Sequence, residues 1–329
     1  MSHYLTIPIN ENGIIFDADM DSVIQEAIAV DPFGFTDVYL YSHGWSTDAA
    51  RALDEYNRFS VDLSKQIHLI GRERPPIFKH APGDSLGIGI HWPSQITEDP
   101  NSALNSLQLL TFYTMEHRAD AVGRNAVYAM LRIILKARVD ATLPVRFFLL
   151  GHSFGCKVIC AALQDLQTDI ANGTIVVPAG ASFNVVLLEP ATDDDNLQPG
   201  DIYGEVHKLQ ALRVLLTTSS LDRALTEWYV AAGKLANLFH TPPQALGAAG
   251  PSGATVAAFG GAAKLSITPG FTAAGLRGIN ERLIVADLSP VHRARVNQKL
   301  YDGGFSGSHS DINFLEVYEM VCGFLFQVN

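Results

Sequence analysis

A chain of 329 residues, 47% of them hydrophobic and 17% charged, has ample material for a folded core and none of the bias of a disordered or fibrous protein. Its formal net charge of −11 argues against a nucleic-acid partner and against electrostatic docking on anionic lipid. Three cysteines make no disulfide framework. Cys156 and Cys160 lack the partner spacing of a metal site, so they read as packing thiols and no metal is expected. The start, MSHYLTIPINENG, lacks the basic and unbroken apolar pattern of a signal peptide, and no apolar run reaches membrane-span length. The expectation is a soluble cytoplasmic protein without stable membrane insertion.

In chain order, YLTIPI and GIIFD read as two short strands joined by a hairpin at Asn10–Gly13. A helical stretch with Val23, Ile24, Ala27 and Ile28 on one face follows, ending near Asp31-Pro32. DVYLYSHGW (37–45) is a strand running into a glycine turn, and 46–70 is helical with Ser46 or Thr47 as N-cap. LGIGIHW (86–92) is the next strand. A helical region from about 103 to 138 carries Val122, Ala126, Val127, Met130, Ile133 and Ile134 on one face. Further strands fall at 145–150, 182–191, 212–220 and 282–290. Strands alternating with helices predict a mostly parallel sheet covered on both faces. The tract 241–275, rich in Ala, Gly, Pro and Ser, breaks this rhythm and reads as a poor core element: a surface loop or an active-site lid.

The chemistry centres on GHSFG, 151–155, a Gly-x-Ser-x-Gly between an apolar strand and a helix. That setting defines a nucleophile elbow, in which a strained turn lifts the Ser153 hydroxyl above the sheet and glycines avoid collisions with neighbouring strands. A serine hydroxyl needs a base, and the base needs an orienting group. Both are expected at strand carboxyl ends, in the order Ser, acid, His. Of eleven histidines, His292 and His309 follow the last strand. His309, in the Gly/Ser-rich loop DGGFSGSHSDI, is the favoured base, and His292 a surface or supporting residue. For the acid, the isolated Asp222 in SSLDRAL is preferred to the cluster Asp193, Asp194 and Asp195, whose charges favour a hydrated loop. The oxyanion donors are the backbone N–H groups of Phe154 and of Trp45, the latter in SHGW where Gly44 permits a tight turn. Gly44, Trp45, Phe154 and Trp228 are the expected substrate-contacting residues. His43 reads as a structural hydrogen-bonding residue.

Together these residues resemble the α/β-hydrolase superfamily: SHGW as oxyanion loop, GHSFG as elbow, SSLDRAL as acid turn and SGSHSDI as histidine loop, in the superfamily's order over about 36–326. SHGW together with HWPS (91–94) is also similar to a group of poorly characterised bacterial hydrolases. The resemblance implies one α/β-hydrolase domain over 1–329, with 223–280 as a lid or cap insertion before the last strand. It implies Ser153 as nucleophile, His309 as general base and acid, Asp222 as orienting carboxylate, and an acyl-enzyme route without a cofactor. The expected partner is a small-molecule ester or lipid. A serine esterase is the first reading; a lipase or phospholipase with an interfacial lid and a non-catalytic binding protein are the alternatives, and amides and thioesters stay open as substrates.

Overall fold

The computed structural model describes residues 3–14, 35–45, 47, 49–73, 78–80, 82–95, 108–139, 144–236, 244–301 and 306–328. Its centre is an eight-stranded sheet: β1 (His3–Pro8), β2 (Asp37–Ser42), β3 (Ser85–His91), β4 (Arg146–His152), β5 (Ser182–Leu188), β6 (Leu212–Thr218), β7 (Ala263–Ser266) and β8 (Leu283–Asp287). The spatial order is β1-β3-β2-β4-β5-β6-β8-β7, and every pairing in it is parallel. This is an α/β-hydrolase fold.

Alternation along the strands divides the core in two. Val38, Leu40, Phe147, Leu149, Val185 and Leu187 face one layer. Tyr39, Tyr41, Phe148, Leu150, Val186 and Leu188 face the other. Because successive side chains point to opposite faces, an unbroken apolar strand must be covered twice. On the second face lie α1 (Ala49–Glu73) and, from the chain's end, α9 (Leu315–Phe326). The first face takes α2 (Gln108–Val122), α3 (Tyr128–Arg138) and the elbow helix α4 (Phe154–Ala171). A π-helical turn, Gly123–Val127, joins α2 to α3 where a Cβ on Gly123 would lie 2.4 Å from the Val158 carbonyl oxygen of α4. The residues of the expected apolar face here, Val122 to Ile134, do pack inward.

The expected hairpin at the edge of the sheet falls only partly on the described residues. The turn at Asn10–Gly13 is present, with the Asn10 N–H donating to the Ile14 carbonyl at 2.7 Å. β1 itself pairs parallel with β3, from His3 opposite Leu86 to Pro8 opposite His91. Residues 15–17, the helical stretch at 23–28 and Ser46 lie outside the described residues.

The Ala/Gly-rich tract is built into the fold. It contains α6 (Leu246–Ala249), α7 (Gly253–Ala258) and the edge strand β7, which pairs with β8. Leu246 is fully buried, and a Cβ on Gly247 would lie 2.7 Å from the Pro190 nitrogen. Small residues here serve close backbone approach, which hydrophobic periodicity does not register. Between β6 and α6, a π-helical turn Ala224–Trp228 leads into α5 (Tyr229–Ala236). After β8 comes α8 (Ser289–Asn297). Among the described residues, no helix is long and apolar enough to cross a membrane.

Candidate active site

Parallel strands present all their carboxyl ends on one edge, and the predicted site residues gather there. Ser153 joins β4 to α4 with φ 55° and ψ −123°, a strained conformation for a residue with a Cβ. Its N–H donates to the Leu188 carbonyl at 3.0 Å, and its own carbonyl accepts from Cys156 N–H at 3.1 Å. The two elbow glycines answer different obstacles. A Cβ on Gly155 would lie 2.1 Å from the Ser42 carbonyl oxygen of β2, whereas one on Gly151 would meet the Gly155 and Cys156 backbone at 2.6 Å. One glycine clears a neighbouring strand; the other clears the helix that follows. Cys156 and Cys160 are buried, and burial pushes both thiols up, Cys160 to about 12.

Ser153, His309 and Asp222 form one hydrogen-bonded chain. The Ser153 hydroxyl donates to His309 Nε2 at 2.8 Å, and His309 Nδ1–H donates to Asp222 Oδ2 at 2.6 Å. Asp222 is fully buried, and its Oδ1 accepts the Leu225 N–H at 2.9 Å. The acid turn and the histidine loop hold each other. Asp222 and Gly307 form a β-bridge, Ser308 N–H donates to the Leu221 carbonyl at 3.1 Å, and Ala224 N–H to that of Ser306 at 3.1 Å. Gly307, at φ 67°, has no room for a side chain, because a Cβ would lie 2.3 Å from the Leu221 oxygen. Two residues on from His309, Asp311 accepts both arms of Arg295 at 2.7 and 2.8 Å. The histidine is thus carried on a pinned segment, not on a merely pliant Gly/Ser loop.

The rival residues lie elsewhere. Asp193 accepts a hydrogen bond from the Tyr229 hydroxyl at 2.6 Å, and burial raises its carboxyl's pKa. His292 is fully buried rather than superficial: its Nε2–H donates to the Asp311 carbonyl at 3.0 Å, and its Nδ1 lies 3.0 Å from Ser219 Oγ.

The SHGW turn touches the elbow. A Cβ on Gly44 would lie 2.8 Å from the Ser153 Cβ, so only glycine lets this backbone come so near. The turn is clamped to HWPS. His43 stacks on Trp92 with centroids 5.3 Å apart, Trp92 Nε1–H donates to the His43 carbonyl at 3.3 Å, and Thr47 N–H donates to Ser94 Oγ at 3.0 Å. Ser94 Oγ–H in turn donates to the Thr47 carbonyl at 2.9 Å. His43 Nδ1–H donates to the Gly44 carbonyl at 2.7 Å, and burial lowers its pKa to about 3. It is a neutral structural residue. Phe154 opens α4, so its N–H is among those a helix leaves without an intrahelical acceptor.

Aromatic rings pack together beside the elbow: Trp45 meets Phe112 and Phe154 at 5.9 and 6.0 Å, and Phe112 meets Phe154 and Tyr229 at 5.0 and 5.1 Å. Trp228 is half-buried at the end of the π turn, next to Tyr229. Phe112 and Tyr229 are not singled out by the sequence, because nothing local sets them apart from core aromatics.

Two more ionisable groups border His309. His152 Nε2–H donates to the His309 carbonyl at 2.7 Å, and burial, helped by the nearby imidazole, lowers its pKa to about 3. Glu189, directly after β5, is fully buried with its backbone at φ 45°. Its position at a strand's carboxyl end was the available signal, masked by the apolar run LLEPA. Among the described residues, His152, Glu189 and His309 could offer metal-ligand atoms within 4.8 Å of one another. In this arrangement both His309 nitrogens and His152 Nε2 are committed to the hydrogen bonds above, so binding a cation would break the Ser153–His309–Asp222 chain.

A family model described as an alpha/beta hydrolase of unknown function (DUF900) matches residues 36–238. Comparison with curated proteins gives no match.

Proposed function

The chain belongs to this family of alpha/beta hydrolases, and from that premise we propose that it is a serine hydrolase cleaving carboxylic esters through an acyl-enzyme intermediate. The observation that carries the reading is the chain from Ser153 Oγ through His309 to Asp222, at 2.8 and 2.6 Å, on the carboxyl edge of a parallel sheet. With Asp222 accepting a hydrogen bond from Nδ1–H, the imidazole keeps its Nε2 lone pair for the Ser153 proton, the tautomer that nucleophilic catalysis needs.

His309 Nε2 removes the Ser153 proton as Oγ attacks the ester carbonyl carbon. The carbonyl oxygen becomes an oxyanion, met by the N–H groups of Phe154 and Trp45. The imidazolium then gives its proton to the departing alkoxide, which leaves as an alcohol. Water, deprotonated by the same imidazole, releases the acid and restores the Ser153 hydroxyl. Gly44 admits the oxyanion loop beside Ser153, and Trp45, Phe154 and Trp228, joined by Phe112 and Tyr229, favour an apolar acyl or alcohol group. No cofactor enters this route.

The test is a series of p-nitrophenyl esters of rising chain length, run beside the Ser153→Ala protein and beside fluorophosphonate labelling. Ester turnover and labelling are expected in the parent protein and absent from Ser153→Ala. Unchanged turnover in the variant would overturn the assignment.

A further inference from the structure

Glu189 has no role in the route just described, yet it occupies the most constrained position around His309. Its side chain is fully buried, and neither carboxyl oxygen has a hydrogen-bond partner. Oε2 lies 3.9 Å from His309 Nδ1 and Oε1 lies 3.7 Å from His292 Nδ1. The backbone is in the left-handed region without being glycine, and is held there by the Glu189 N–H donating to Thr217 Oγ1 at 2.8 Å. Such strain persists only where the surroundings over-determine it, and it collects at functional sites.

Among the described residues, the imidazole, guanidinium and thiol donors of this region are engaged elsewhere. His309 Nδ1–H serves Asp222. His292 Nε2–H serves the Asp311 carbonyl, and its Nδ1 faces the Ser219 hydroxyl. His152 Nε2–H serves the His309 carbonyl. Arg295 is taken by Asp311, and the Cys156 thiol by the Gly151 carbonyl. A carboxylate with no donor and a second carboxylate beside it cannot keep its charge in a protein interior, so Glu189 holds its proton. Burial first, and then the charges of Asp222 and Asp311, raise its pKa well above the usual carboxyl range.

We propose that Glu189 and Asp222 are a carboxyl pair around His309 that carries one negative charge, with Asp222 as the working partner and Glu189 as a positioning residue able to replace it. The inference rests on the serine-hydrolase reading above. Two consequences of losing Asp222 act in the same direction. The like charge that keeps Glu189 protonated disappears, and the Nδ1–H that Asp222 held becomes a free donor. Closing 3.9 Å to a hydrogen bond then asks for a shift of about 1 Å in the imidazole or the glutamate. The two acids follow neighbouring strands, Glu189 directly after β5 and Asp222 in the turn after β6, so both stand on the Nδ1 side of the same imidazole.

A double-mutant cycle in the full-length protein reads this directly, with kcat/KM for a short p-nitrophenyl ester and the rate of fluorophosphonate labelling at Ser153. Complete loss of the orienting acid costs about 10⁴-fold in serine hydrolases of this design. Asp222→Ala is expected to lose about 10²-fold, and Asp222→Ala/Glu189→Gln about 10²-fold more, with Glu189→Gln costing far less alone than in the Asp222→Ala background. The kcat/KM of Asp222→Ala should also rise with pH as Glu189 ionises, a limb absent from the double variant. A merely structural glutamate would give neither the coupling nor that limb. The cycle is repeated with Asp222→Asn, which preserves the side-chain volume if the alanine protein does not fold. Equal rates for the single and double variants in a folded background overturn the proposal. Full activity in Ser153→Ala would instead overturn the reading on which it rests.

Discussion

His43 shows how one side chain fixes the geometry of a site without touching a substrate. Its imidazole is sandwiched into the SHGW–HWPS contact as a neutral ring, Nδ1–H on the Gly44 carbonyl and Nε2 receiving the Trp92 N–H at 3.4 Å. Protonation would place a charge in an apolar layer and remove that acceptor. Burial lowers its pKa to about 3, below the unfolded value near 6.5, so below pH 6.5 the unfolded chain binds the extra proton. This histidine's contribution is therefore whole above pH 6.5 and is lost as pH falls toward 3. Between pH 7 and pH 5 it should withdraw about 2 kcal/mol from folding stability. Urea unfolding at the two pH values, for the parent and for His43→Asn, checks this: the variant is expected to be less stable at pH 7 and to lose less on acidification. An equal loss in both proteins would show that His43 is not held neutral.

At the level of elements, the elbow is a problem of clearance between backbones. The β4–α4 turn passes so close to the end of β2 that the Gly155 position leaves 2.1 Å between a Cβ and the Ser42 carbonyl oxygen. The obstruction is backbone on a central strand and cannot swing aside, unlike the tip of a side chain. Gly155→Ala is expected to lower unfolding free energy by about 3 kcal/mol, at the upper end of overpacking costs, by pushing α4 off β2. Thermal or denaturant unfolding measures it. A variant within about 0.5 kcal/mol of the parent, the range of an ordinary surface substitution, would mean that the turn relaxes freely. The same movement would carry Ser153 away from His309, so activity should fall with stability.

Across the whole molecule, chemistry and anchorage lie at opposite ends of the strands. The carboxyl edge carries Ser153, Asp222, Glu189 and the histidine loop. At the amino ends of β2 and β4, Arg146 binds Asp37 through two bonds of 2.7 and 2.9 Å, and the Gly83 N–H adds a third donor to Asp37 at 2.9 Å. Asp37 is fully buried, so removing its partner leaves an uncompensated charge in the core. Arg146→Met should cost about 3–5 kcal/mol of stability while leaving kcat/KM for esters within about twofold at temperatures where the protein stays folded. Denaturation and steady-state kinetics on the same preparation separate the two. A large kinetic effect in the folded variant would mean that the ends of the sheet are coupled.

The sequence alone determined the parallel architecture, the elbow and the identity of three residues that meet at the site. Apolar runs too short for helices, punctuated by glycine turns and alternating with periodic segments, admit little besides a sheet covered on both faces. GHSFG, SSLDRAL and SGSHSDI each mark a strand end or its following loop, where a side chain is free to serve chemistry rather than packing. What the tertiary structure decided is everything set by backbone proximity between distant segments. The inclusion of the Ala/Gly tract in the sheet, the bridge from Asp222 to Gly307, the pairing of β1 with β3 and the approach of Glu189 to His309 leave no periodic trace. GHSFG itself gained a reason for each glycine, since the collisions that forbid a Cβ come from β2 on one side and from α4 on the other. Steric exclusion and burial act between neighbours in space, and that adjacency exists only once the strands have paired.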